Sequence, residues 1–289
     1  MSLFDALVDE AIRNNPELVV LRPVVEKEIL HHDILRLMSD AGLLVHLTFI
    51  GGTCLRACYG SERLSEDLDF TGGADFDPSQ LSGLAKSLVK GLGGKYGLPV
   101  EVSEPVRERG NVDTWKVKVQ TRPERKDLKS QRIHIDICSV PSHESRPMML
   151  RNRYGVDMGT SGLILRAQSR EEILVDKFIA LAFRPNRIKN RDLWDIAWLE
   201  RQGVMLNADF IARKIVDHHK TTSGFFDSLT ARIGIISGDP SVQEDFRNEM
   251  RRFLPVGPIV ETALSDDYWL YLQAIIADDL RGLTPIFNF

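Results

Sequence analysis

Cysteine is scarce: Cys54, Cys58 and Cys138 are the three in a chain of 289 residues. So few, and an odd number, cannot staple a protein of this size, which excludes a disulfide framework and fits reduced thiols in the cytoplasm. No apolar run reaches the roughly 18 residues that span a bilayer. The first twenty residues carry acids and an early proline where a secretory leader requires a basic start and an unbroken apolar stretch, so the sequence predicts neither leader nor membrane span. Charge of one sign is lacking too. With 37 Lys and Arg against 41 Asp and Glu, the net charge of −4 excludes a polycation that binds nucleic acid over its whole surface. Neither GxxxxGK[ST] nor GxSxG occurs, which removes P-loop hydrolysis and serine-esterase chemistry.

What is present is a globular composition, 43% hydrophobic and 27% charged, enough for one elaborated domain or two packed ones. Apolar spacing predicts helices over Ser2 to Asn14 and Pro23 to Ser39, which would cover the domain behind them. From His46, HLTFI reads as a short strand ending at Gly51-Gly52, followed by a helix-like TCLRACYG and the alternating strand LSEDLDF. Asp77-Pro78-Ser79 predicts a helix running to Leu92. Strands are then expected in PVEVSEPV, TWKVKVQT and RIHIDICSV. Beyond Gly162 the pattern is mostly helical, with candidates at Ser169 to Phe183 (a Ser169/Glu172 capping box), Arg191 to Arg201, Asn207 to His219, Ser241 to Phe253 and Thr262 to Leu280. This order predicts an α+β fold: N-terminal helices and a mixed-sheet core over 1–165, then a helical domain over 166–289.

The chemistry-bearing residues are acidic. Asp67 and Asp69, at i and i+2 on a strand, point to one face about 7 Å apart, where they can hold a divalent metal. Glycines upstream, between a strand and a helix, let backbone N–H groups approach a phosphate closely. In RIHIDICSV the isoleucines at 133, 135 and 137 share one face, so His134 and Asp136 project from the other. Three aspartates from two strands would suit two Mg²⁺ ions bridging a triphosphate and an attacking hydroxyl. The bland alternative for each is a solvated acid on a half-exposed sheet.

The stretch FIGGTCLRACYGSERLSEDLDF resembles the first motif of the nucleotidyltransferase superfamily. It is similar in particular to the AbiEii/AbiGii toxin family, whose version reads as a glycine pair, Thr, then Arg-x-Ser-x-Asp-x-Asp-Phe. RIHIDI, EEILVDKFIAL and RDLWDI match that family's later motifs, and the likeness extends from Phe49 to Ile196. It implies a nucleotidyltransferase-like core and roles for individual residues. Gly51, Gly52 and Thr53 would hold phosphates, with Arg63 and Ser65 at the triphosphate. Asp67 and Asp69 would bind both metals, and Asp136 would bind the catalytic metal and help deprotonate the acceptor. Lys177 would neutralise phosphate charge, and Asp192 would position Lys177 or the nucleotide. Mg²⁺ or Mn²⁺ as cofactor, NTP as substrate, tRNA or another RNA as acceptor and a cognate antitoxin as partner are implied in the same way. One departure is that Gly52 stands where much of the superfamily has Ser.

Read from the residues alone, Lys177 lies beside the apolar stripe Ile173, Leu174, Phe178 and Leu181, where a lysine can extend its ammonium toward a cleft or simply pair with Glu172 or Asp176. Asp192 and Asp195 share one face of the next helix, and Asp192 could be only a helix-dipole partner. Cys54, Cys58, His134 and Cys138 contain no CxxC pair, so buried thiols are expected rather than zinc. His31-His32 and His218-His219 are expected on helix surfaces. Residues 107–132 hold nine basic side chains, from Arg107 and Arg109 through Lys116, Lys118, Arg122, Arg125, Lys126 and Lys129 to Arg132, against four acids, and RPNRIKNR adds Arg187 and Lys189 among others. Such a concentration in an acidic chain suits a phosphate-rich acceptor. The expected activity is transfer of NMP from an NTP to RNA, probed against two alternatives: transfer to a small hydroxylated molecule or a protein, and nucleotide binding without turnover.

Overall fold

A side-chain cap starts the first helix. The Ser2 hydroxyl accepts from the Asp5 N–H at 3.0 Å, and α1 (Leu3–Asn14) turns Phe4, Val8 and Ala11 inward. This computed structural model describes residues 2–106, 110–125 and 127–287. It divides into two units, one ending at Gln168 and one beginning at Ser169. In the first unit, α2 (Arg22–Asp40) buries Val25, Ile29, Leu30 and Ile34, and with them Glu26, Glu28, His31, His32 and Asp33. His31 and His32 are thus interior, not on the helix surface where the sequence reading expected them. A helix so polar on its inner side must find partners for each buried group.

After α2 come β1 (Thr48–Ile50), a four-residue helix α3 (Gly51–Cys54) continued by the π turn Leu55–Tyr59, and β2 (Leu68–Thr71). The helix expected from Asp77 is interrupted. Pro78–Leu81 makes a single 3-10 turn, Ser82 is extended at ψ 128°, Gly83 takes φ 93°, and α4 (Leu84–Tyr96) starts only then. β3 (Val100–Ser103), β4 (Val112–Val119) and β5 (Gln131–Cys138) stand where alternation predicted strands. β6 (Ser145–Met149) and β7 (Ile164–Gln168) complete a mixed seven-stranded sheet in the order β3-β4-β5-β2-β1-β7-β6. β7 pairs parallel to β1, so the residues just after Gly162 are strand, not the beginning of the helical region.

Alternation sorts the central strands into two faces. Phe49, Leu68, Phe70, Trp115, Val117, Ile133, Ile135 and Ile137 are all buried, with α2 packed on β5 and α4 on β3. Each of these large side chains contributes roughly 1.5–3 kcal/mol by burial, so one apolar face fixes the register of the sheet. The opposite face carries the polar residues.

The second unit is helical: α5 (Arg170–Phe183), α6 (Asn190–Arg201), α7 (Ala208–Asp217), α8 (Thr222–Gly238), α9 (Pro240–Phe253), α10 (Pro258–Ala263) and α11 (Asp266–Leu283). Ser169 caps α5 by accepting from the Glu172 N–H at 3.2 Å, the serine half of the predicted box, while Glu172 Oε1 meets Lys214. Ser265, not Thr262, opens α11. α8 was not expected. Its three glycines lower helix propensity, and burial of Phe225, Phe226 and Leu229 overrides them.

Candidate active site

β1 delivers the chain to Gly51, which takes φ +75° and pairs, through its neighbour Ile50, with Asp69. A Cβ added at Gly51 would stand 2.9 Å from Asp69 Oδ2. Only glycine leaves space beside that carboxylate. Gly52 follows, half-buried, in the first turn of α3, which is too short for an appreciable helix dipole.

Asp69 of β2 is the register partner of Asp136 of the parallel strand β5, so the two carboxylates lie side by side on the polar face. Asp67 comes one residue before β2. Its Oδ1 accepts from the His134 N–H at 3.0 Å, and the His134 ring Nδ1 lies 3.5 Å from the same oxygen. Asp136 Oδ1 accepts from the Thr114 hydroxyl at 2.6 Å across the β4–β5 ladder. Thr53 and Ser65 share a hydrogen bond of 2.6 Å, and the Thr53 hydroxyl also donates to the Asp67 carbonyl. Thr53 therefore ties the glycine turn to the acidic segment. Arg63 is buried and donates to the Leu64 carbonyl at 2.9 Å.

Carboxylate oxygens on adjacent strands are the donor chemistry of a hard divalent cation, and the side chain missing at Gly51 keeps space in front of one of them. Among the described residues no group of three or more His, Cys, Asp or Glu is already gathered as a metal nest. Hydrogen bonds to His134 and Thr114 hold Asp67 and Asp136 in place instead. The sequence reading placed His134 on the acid face, and Thr114 escaped it. The alternation in TWKVKV could have put Thr114 on the acid face, but the register with Asp136 is a tertiary fact.

In the second unit Lys177 is buried. Its Nζ lies 2.7 Å from Asp192 Oδ1 and 2.8 Å from Asp195 Oδ2. Asp192 also pairs with Arg184. Burial opposes its charge, yet Lys177, Lys189 and Arg184 outweigh that and hold its carboxyl well below the usual range. Glu172 and Asp176 bind Lys214 at 2.7 and 3.1 Å.

The basic candidates separate into two groups. Arg122 is turned inward to Glu26 and Asp5, and Arg125 pairs with Asp127. Lys129 and Arg187 are exposed, Lys189 is half-buried, and Arg107, Arg109 and Lys126 lie outside the described residues. By register, Lys116 stands opposite His134 and Lys118 opposite Arg132, continuing the face that carries Thr114 and Asp136. Burial keeps Cys54 and Cys58 enclosed and pushes the Cys54 thiol well above its ordinary pKa, as expected of packing thiols.

Among the described residues no helix is long and apolar enough to cross a membrane. Comparison with solved structures finds MenT4, a nucleotidyltransferase toxin of Mycobacterium tuberculosis, at 14% identity over 96% of this chain and 98% of that one, with a TM-score of 0.53. The likeness is one of fold. JHP933 of Helicobacter pylori is 17% identical over 92% of this chain and 96% of that one, with a TM-score of 0.47. No curated protein sequence matches. The family model described as nucleotidyl transferase AbiEii toxin, Type IV TA system, matches residues 33–271, most of the chain and both of its units. With the glycine turn, the paired aspartates and the mixed sheet already in place, that match makes this chain a member of the AbiEii nucleotidyltransferase toxin family of type IV toxin–antitoxin systems.

Proposed function

We propose that the chain transfers a nucleoside monophosphate from an NTP to a hydroxyl of an RNA acceptor, with tRNA as the acceptor class. In this reading it acts in the cytoplasm as the toxin opposed by a cognate antitoxin. The observation that carries the reading is the register pairing of Asp69 with Asp136 beside Gly51. Asp67, Asp69 and Asp136 would hold Mg²⁺ or Mn²⁺, which when bound supplies Lewis-acid polarisation of phosphoryl oxygens. Gly51 and Gly52 admit the triphosphate close to the backbone, and Ser65 and Arg63 border it, held by Thr53 and the Leu64 carbonyl. Asp136 takes the proton of the acceptor hydroxyl. The hydroxyl oxygen bonds to the α-phosphorus, the bond from that phosphorus to the bridging oxygen breaks, and pyrophosphate leaves. Lys177 is assigned to neutralise phosphate charge, with Asp192 as the carboxylate that aims it. Lys116, Lys118 and Arg132 on the acid face favour a polyanionic acceptor, since neutralised phosphates supply most sequence-independent affinity.

The test is incubation with each labelled NTP and total tRNA. The wild type should label tRNA. Asp69→Ala and Asp136→Ala should not, and their melting temperatures should not fall, because removing one of several like charges relieves repulsion. Near-normal turnover in either variant at saturating Mg²⁺ would sink the assignment.

A further inference from the structure

Glu28 is a carboxylate buried within α2, where an isolated charge would be costly. Four contacts compensate it. Arg56 Nε donates to both of its oxygens at 3.2 and 3.1 Å, the Tyr154 hydroxyl donates to Oε2, and the Ser65 backbone N–H donates to Oε1 at 2.9 Å. The last of these reaches the acidic motif itself, two residues before Asp67. Neighbouring turns of α2 hold the next residue: Lys27 Nζ meets Glu66 Oε1 at 2.8 Å, and His31 Nε2 lies 2.9 Å from the Glu66 carbonyl, which can only accept. Burial lowers the pKa of His31, so it makes that contact as the neutral ring.

The segment before Ser65 is pinned as well. Arg56 Nη1 donates to the carbonyls of Ser61 and Glu62, and Arg153 Nη1 to those of Gly60 and Ser61. A buried ion pair adds little net stability compared with an apolar pair of the same shape, so a network this polar needs another reason to exist. What it does is fix where the backbone of residues 60–66 lies, and β2 starts immediately after Asp67.

We propose that Glu28 is a positioning residue for the acidic motif: through the Ser65 N–H it sets where Asp67 and Asp69 stand relative to Asp136. It lies ahead of residues 33–271, which the family model matches, so the family likeness does not assign it. The inference rests on the carboxylate reading given under the proposed function.

The test uses Mn²⁺ alone, its binding followed by water-proton relaxation, on folded full-length protein. Outer contacts that orient ligands typically cost about tenfold or more in metal affinity when removed. Glu28→Gln should weaken Mn²⁺ binding by about that factor, and Tyr154→Phe, which removes one support from Glu28 and leaves Asp67, Asp69 and Asp136 unaltered, by a few-fold. Asp69→Ala serves as the reference and should lose the ion. Wild-type Mn²⁺ affinity in whichever of the Glu28 and Tyr154 variants folds, with binding lost in Asp69→Ala, overturns the positioning role alone. Unchanged binding in Asp69→Ala overturns the carboxylate reading on which it rests.

Discussion

The helical unit contains the same chemical group twice. Lys177 on α5 reaches Asp192 and Asp195 of α6, three residues apart, and Lys214 on α7 reaches Glu172 and Asp176 of α5, four apart. Both are buried ammonium groups between two carboxylates on one helical face. They differ in what surrounds the carboxylates. Asp192 has Arg184 as a second cation and feels Lys189, whereas Lys214 is raised in pKa by Asp176 and Glu172 against the opposing effect of its own burial. Lys177 also keeps 11% of its side chain exposed, against 2% for Lys214. A carboxylate with two cations can lend one of them to a phosphate and stay neutralised. On the role proposed for Lys177, the same chemistry would serve as a staple in one place and as a transferable charge in the other.

The sharpest way to break this comparison is to remove each ammonium in turn. Lys214→Met should give the largest change, a loss of about 3–5 kcal/mol of stability, because it takes the ammonium away from the fully buried Glu172 carboxylate. Its turnover per folded molecule should stay at the wild-type level, and chemical denaturation with single-turnover rates on the folded fraction reads both. If Lys214→Met slows transfer as much as Lys177→Met does, the distinction collapses. Lys177→Met should slow single-turnover transfer at least about tenfold, some 1.4 kcal/mol of transition-state stabilisation, with Lys177→Arg recovering only part of it. Wild-type rates in both Lys177 variants would make it a second staple.

The smallest effect sharpens the comparison from the other side, with two carboxyls that meet each other. Glu200 of α6 meets Asp279 of α11, and burial together with that neighbour pushes Glu200 up to about 9. Its folded form therefore keeps a proton that the unfolded chain gives up. Stability should be unaffected below the ordinary carboxyl range and should decline as pH rises from about 4.3 toward 9. Glu200→Gln should flatten that decline and raise the melting temperature at pH 8, by less than the full pKa displacement implies because solvent screens a partly exposed group. Thermal melts across pH that retain the wild-type slope in Glu200→Gln would assign the decline to other groups.

Much of this architecture was legible in the chain because it rests on local chemistry. The alternation in RIHIDICSV sorted Ile133, Ile135 and Ile137 from Asp136, and Ser169 with Glu172 marked the start of α5. The glycine pair and the acids announced the turn and its strand. What stayed hidden depends on distant partners. Glu28 looks like any polar position on an amphipathic helix until Ser65, Arg56 and Tyr154 converge on it. Lys177 could have paired along its own helix alone, and only the placement of α6 brings Asp192 and Asp195 to it. β7 is short, and its strand character comes from pairing with β6 along its length and with β1 at Ala167. The extended backbone at Ser82 split a helix that Asp77 and Pro78 seemed to open, and three glycines disguised α8.

The sheet order has a consequence in time. Asp69 acquires its partner only when β5 arrives, long after β1 and β2 have been made, and β7 joins β1 later still. Pairings between strands so far apart along the chain carry a high loop-closure cost and form late. A ribosome-bound chain that has not yet reached Gln131 holds the glycine turn and both acids of the first motif, with nothing for Asp69 to stand beside. The pairing of Asp69 with Asp136 is thereby deferred until synthesis has passed β5, about midway along the chain, and a chain interrupted before that point lacks the second carboxylate of the pair.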